Sequence, residues 1–251
     1  MQSIEILGCR VDAVVRDAAV ERVVALAHGA TSSLVVTLGS EMVMEAQHNA
    51  RFRSVVDAAA LVVCDTIGLL LASRLRGGPL RERITGVELI DALAASSSLH
   101  DLRLFLLGGR DGVADHAASK LRERYPGVKI VGTRDGYFAV RESDEVAAAI
   151  RASGANVLLA GMGSPRQEVW LSENLARAGC AVGIGLGGTF DILAGEVRRA
   201  PPLVRRLGLE WLYRLIREPR RWRRQLALPL FAYLALRETA ALALSKGKTS
   251  A

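Results

Sequence analysis

Leu102-Arg103-Leu104-Phe105-Leu106-Leu107-Gly108-Gly109-Arg110-Asp111-Gly112, near the middle of the 251-residue chain, decides the fold class. A nearly continuous apolar run ends at two glycines, and from Val113 to Tyr125 apolar residues recur at three- and four-residue spacing. A strand with one face in water would alternate, so this run reads as a strand buried on both faces. The segment after the glycines reads as a helix with one apolar stripe. Working outward, the same unit recurs. Strand-like runs cover Leu34–Leu38, Leu61–Cys64, Val128–Val131, Val157–Ala160 and Val182–Leu186. Helical spacing covers Met42–Ala58, Gly86–Ala95, Ser143–Ala152 and Gln167–Ala178. Strand–helix alternation of this kind predicts an open, mainly parallel, Rossmann-like α/β sheet with helices on both faces and right-handed crossovers.

Half of the residues are apolar and 24% are charged, which excludes a disordered chain. The net charge of +7 is unevenly placed. Ten arginines and only two acids, Glu210 and Glu218, lie between Arg198 and Arg224, and the remainder is close to neutral. With basicity confined to one segment and no reading module recognisable, a nucleic-acid partner is not expected. Strand signals stop at about Gly195, and Ala200-Pro201-Pro202 marks a break. An α/β domain over 1–195 and a basic, aromatic-rich helical appendage over 196–251 are therefore expected. Helices are expected from Leu203 to Ile216 and from Pro219, a favoured first helical residue, to about Arg237.

Within the appendage, Arg214, Arg217, Arg221 and Arg224 would share one helix face if Pro219 does not break it. A basic stripe beside Trp211, Tyr213, Trp222 and Tyr233 fits a helix lying on an anionic leaflet better than a merely solvated face. The longest apolar run, Leu226–Leu236, is interrupted by Pro229 and closed by Arg237-Glu238. That is short of the roughly 20 residues needed to cross a bilayer. The N-terminus has no secretory pattern, and the three cysteines, Cys9, Cys64 and Cys180, read as reduced core thiols. A cytoplasmic protein, peripheral on the membrane, is the expectation.

Parallel sheets bind ligands beyond the carboxyl ends of their strands. The elbows there are Thr37-Leu38-Gly39-Ser40-Glu41, Cys64-Asp65-Thr66-Ile67-Gly68, Gly108 to Gly112, Asp135-Gly136-Tyr137, Gly161 to Glu168 and Gly187-Gly188-Thr189-Phe190-Asp191. Glycine turns let backbone N–H groups approach a phosphate, and several at one edge suit a nucleoside diphosphate. No G-x-G-x-x-G follows the first strand, and neither a P-loop nor a G-x-S-x-G elbow exists. There is no D-x-D, and the four histidines are scattered, so no metal or other cofactor is expected. Asp65 has two readings, a helix N-cap or a general base beside Thr37. Arg83 likewise is either a solvated surface group or the cation that meets a departing diphosphate.

These elbows resemble the WecG/TagA/CpsF family of bacterial glycosyltransferases (glycosyltransferase family 26). The match runs from about Val35 to Arg224 and is densest at Asp65–Gly68, Arg83–Leu89, Gly136–Phe138, Gly161–Glu168 and Gly187–Asp191. The resemblance implies a metal-independent, inverting enzyme. It would move a sugar, typically N-acetylmannosamine or its uronic acid, from a UDP donor to an undecaprenyl-diphosphate-linked sugar. By the same resemblance Asp65 is the catalytic base, Thr37 its polar neighbour, Gln167 an active-site amide and Arg83 a pocket arginine. UDP is expected near Gly108, Gly109, Gly136, Tyr137 and Asp191, with Gly161 and Gly163 also lining the substrate site. The appendage is implied to dock on the cytoplasmic leaflet and cover the active site, its arginines meeting the lipid diphosphate. Two positions depart from the pattern: Gly39 replaces a common Asn, and Thr66 stands where many members have Gly. A second reading, favoured by Gly39, is a non-catalytic nucleotide-sugar-binding scaffold at the membrane. Self-association is left open.

Overall fold

The computed structural model describes residues 1–206, 208–217 and 222–249. An antiparallel hairpin, β1 (Ser3–Ile6) and β2 (Cys9–Asp12), precedes α1 (Arg16–Ala27). Six parallel strands follow: β3 (Ser33–Leu38), β4 (Leu61–Cys64), β5 (Arg103–Gly108), β6 (Lys129–Arg134), β7 (Val157–Gly161) and β8 (Val182–Gly185). After β3 come α2 (Ser40–Ala46) and α3 (Ala50–Asp57), and after β4 come α4 (Ile67–Leu75) and α5 (Gly86–Ser96). One helix follows each later strand: α6 (Val113–Arg124), α7 (Ser143–Ala152), α8 (Arg166–Asn174) and α9 (Thr189–Leu193). The remaining helices are α10 (Pro202–Arg206), α11 (Glu210–Arg217), α12 (Trp222–Gln225) and α13 (Ala227–Thr249).

The sheet order is β4-β3-β8-β7-β5-β6, and every pairing in it is parallel, as the apolar runs predicted. Adjacent residues of a strand face opposite sides, so Val35 and Val63 join one core while Val36 and Val62 join another. The first core receives α1, α5, α6 and α9, and the opposite face receives α2, α3, α4, α7 and α8. All six carboxyl ends emerge along one edge, which gathers elbows that are far apart in sequence.

Several expected elements change shape. The helix expected over Met42–Ala58 is two helices, because the Asn49 side chain caps α3 by accepting the Phe52 N–H at 3.0 Å. The helix expected over Leu203–Ile216 is divided at Gly208, whose φ of +73° suits glycine. Pro229 does not stop α13, since it lies in the first turn, where a missing N–H breaks no helical bond. Nor does Arg237-Glu238, because the Glu238 carboxylate accepts from Arg76 Nη1 at 2.9 Å and from the Leu7 N–H at 3.1 Å. The 18 residues Ala227–Leu244 are long and apolar enough to cross a membrane. However, Phe231 and Ala235 are buried in the core beside α2 and α4, tying that helix to the α/β body. The proposed start at Pro219, together with Arg221, lies outside the described residues, as do the side chains of Arg214 and Arg224.

Candidate active site

Asp65 follows β4 directly, and its N–H donates to Leu38 O of the neighbouring strand at 2.9 Å. The cap position of α4 belongs to Thr66, so Asp65 stands one residue outside the helix, half-buried at the strand tip. Ile84 N–H donates to Cys64 O at 2.6 Å, which extends the β4 end and brings Arg83 alongside. The Cys64 thiol registers both charges. Burial pushes its pKa up to about 12, the Asp65 carboxylate adds to the rise, and Arg83 opposes it.

The segment after Gly195 brings Glu210, Arg199 and Arg205 to this corner. Arg83 Nη1 lies 3.2 Å from Glu210 Oε2 of α11, and Arg83 Nη2 donates to Arg205 O at 3.3 Å. Arg199 Nη2 meets Glu88 Oε1 at 3.0 Å, and Thr85 and Glu88 form a capping box on α5. Burial alone would raise the Glu88 pKa, but the Thr85 hydrogen bonds with Arg199 and Arg83 outweigh it and the net shift is downward. Gly208 packs on the first residue of α4, where an added Cβ would come within 2.8 Å of Ile67 Cγ1.

Thr37 and Gln167 occupy a deeper layer. Thr37 Oγ1 donates to Gly185 O at 2.7 Å and is buried. Gln167 is also buried, and its Oε1 accepts the Gly163 N–H at 3.1 Å and the Gly187 N–H at 3.0 Å. The glycine elbows on the far side pack backbone against backbone. A Cβ at Gly108 would lie 2.5 Å from Gly161 C, and one at Gly136 would lie 3.0 Å from Gly108 Cα. Gly109 N–H donates to Gly161 O at 3.0 Å and Gly136 N–H to Gly109 O at 2.9 Å. The glycines here have a steric reason, and these particular amides are engaged within the protein.

Tyr137 projects from the same edge with three quarters of its surface exposed. Asp191 sits half-buried on α9, near the Gly187-Gly188 turn. Arg217 is exposed at the end of α11. The two departures meet in space: a Cβ at Gly39 would come 3.2 Å from Thr66 Cγ2, while Thr66 Oγ1 accepts the Ser40 N–H at 3.1 Å. The sequence reading passed over Glu210 and Glu168. Glu210 was visible as one of two acids in an arginine-rich segment, and Glu168 follows Gln167 directly. Among the described residues, no three His, Cys, Asp or Glu side chains gather to hold a metal ion.

The structure is a parallel α/β sheet with a carboxylate, an arginine and glycine turns along its carboxyl edge, the edge at which such sheets bind ligands. Residues 4–244 match the model of the glycosyl transferase WecG/TagA/CpsF family. The chain belongs to that family. It is 35% identical over 211 residues, 84% of this chain and 81% of the relative, to the N-acetylglucosaminyldiphosphoundecaprenol N-acetyl-beta-D-mannosaminyltransferase of Bacillus spizizenii. To the protein of the same name in Bacillus subtilis it is 34% identical over 206 residues, 82% of this chain and 80% of that one.

Proposed function

We propose that this chain transfers an N-acetylmannosamine-type sugar from a UDP donor to an undecaprenyl-diphosphate-linked N-acetylglucosamine, with inversion and without a metal ion. The observation that carries the reading is Asp65 at the tip of β4, where Ile84, the residue after Arg83, donates its N–H to Cys64 O at 2.6 Å. The Asp65 carboxylate takes the proton of the acceptor hydroxyl as that oxygen bonds to the anomeric carbon. The bond from that carbon to the UDP oxygen breaks on the opposite face, and UDP departs with the electron pair. Arg83, freed from Glu210, meets the diphosphate charge, and Tyr137, Asp191 and the glycine turns border the nucleotide. The names of both relatives support the donor sugar and the lipid-linked acceptor.

The same reading places the protein on the inner face of the cell membrane, where a lipid-linked acceptor would be met. Leu203, Trp211, Ile216, Trp222, Leu230 and Leu236 expose apolar surface, as Arg217 and Arg237 expose charge, a composition suited to an anionic interface. A screen of UDP-sugars against a short-chain polyprenyl-diphosphate N-acetylglucosamine, read by mass, tests the reaction. Product with UDP-N-acetylmannosamine is expected, and absence of product with every donor would reject the reading. Replacing Leu230 and Leu236 together by Asp should lower sedimentation with anionic liposomes, and unchanged sedimentation would count against docking.

A further inference from the structure

We infer that Glu168 is a positioning residue for sugar transfer, holding the Gln167 amide so that its oxygen braces the turns after β7 and β8. The inference rests on the reading of this edge as the transfer site. Both residues lie in the first turn of α8 and are buried at 2% and 0% exposure. Gly163 and Gly187 both aim backbone N–H groups at Gln167 Oε1. Two donors demand an acceptor, so the amide oxygen must face them and the NH2 must face away. Gln167 Nε2 donates to Glu168 Oε1 at 2.6 Å, which meets that requirement in the interior.

The pair sits over a gap left for it. A Cβ at Gly185, the last residue of β8, would lie 2.7 Å from both Gln167 Nε2 and Glu168 Oε1. Gly185 O in turn accepts from Thr37 Oγ1, so the ends of β3 and β8 and the turn after β7 converge on one buried cluster. The two turns it joins leave neighbouring strands, β7 and β8, in the middle of the sheet edge. Gln167 therefore acts through the turns it holds, and Glu168 acts through Gln167. Releasing the amide lets two turns of the substrate-facing edge shift relative to Asp65, and small misplacements of this kind slow chemistry more than binding.

The test is a swap of the two side chains, set against single variants that break the pair, in the full chain with UDP-N-acetylmannosamine and a short-chain polyprenyl-diphosphate N-acetylglucosamine. Gln167→Glu turns a carboxylate toward Glu168, and Glu168→Met leaves the NH2 without its acceptor. Each should lower kcat about tenfold to a hundredfold with KM changed less than about threefold. In Gln167→Glu/Glu168→Gln the carboxylate at position 167 still accepts both glycine N–H groups and now also accepts from the amide at 168. That variant should recover kcat to within about fivefold of wild type, the non-additive rescue expected of contacting partners. A folded double variant as slow as Gln167→Glu would overturn the inference, and so would a loss confined to KM. Should a single variant fail to fold, the rate of the double variant decides in the same way. If the wild-type chain transfers no sugar, the reading of the site fails, a result distinct from failure of the swap to rescue. Hydrogen exchange at the Gly163 and Gly187 amides then judges the brace alone: faster in Glu168→Met and slowed again in the double variant, or unchanged and the brace is rejected.

Discussion

The two halves of the sheet's carboxyl edge are built on opposite principles. At the β4 end, side chains do the shaping: Asp65 at the strand tip, Arg83 against Glu210, Arg199 against Glu88. Toward β5, β6 and β7, the absence of side chains shapes the surface, with Gly108, Gly136 and Gly161 letting backbones touch. A side-chain site can lose chemistry while keeping its fold, because replacing a half-exposed polar group leaves the core packing alone. A glycine site cannot, since a Cβ at Gly108 or Gly136 would press on the backbone of a neighbouring strand and one at Gly161 on the Phe190 ring.

Substitutions can break this contrast, and the largest effect belongs to Asp65. Asp65→Asn should fold and bind UDP yet slow transfer by about 10²–10⁴-fold, the usual consequence of removing a general base. Turnover near wild type, measured with saturating donor, would remove the role. Next comes Gly108→Ala, whose Cβ would meet the Gly161 backbone at 2.5 Å from a residue with φ of +154°. We expect about 1–3 kcal/mol of lost stability in urea unfolding. Activity should fall only as folded protein is lost, and a fully stable but inactive variant would erase the distinction between the halves.

The smallest effect sharpens the comparison through pH. The Glu88 carboxyl titrates below its usual 4.5 in the folded protein, because Thr85, Arg199 and Arg83 outweigh its burial. A depressed folded pKa gives stability that is present above pH 4.5 and lost as pH falls through the folded value. Glu88→Gln should therefore be less stable than wild type at pH 6 by on the order of 1 kcal/mol or less. The difference should close toward pH 3, and thermal unfolding across that range reads it. An unchanged difference at low pH would show that charge at position 88 contributes nothing to holding the corner.

Legibility followed the range of the interactions. Strands and most helices of the α/β layer were readable because continuous apolar runs and three-to-four spacing are local consequences of burial. The hairpin at the N-terminus was missed, being two strands of only four residues each, and so were α1, α4 and α9. The break at Asn49 needed knowledge of which side chain caps which N–H. Asp65 was visible at a strand tip, and the structure adds that Thr66 stands between it and α4.

By itself, then, the amino-acid order determined the parallel α/β layer, the line of elbows with Asp65 among them, and the family resemblance. Each depends on residues within a turn or a strand of one another. Tertiary structure alone decided that Gln167 lies inside, that Glu210 faces Arg83 across 127 positions, and that α13 sends Phe231 into the core. Such pairs form only when the parallel sheet brings distant strand ends to one edge, and no local pattern encodes which end will lie beside which.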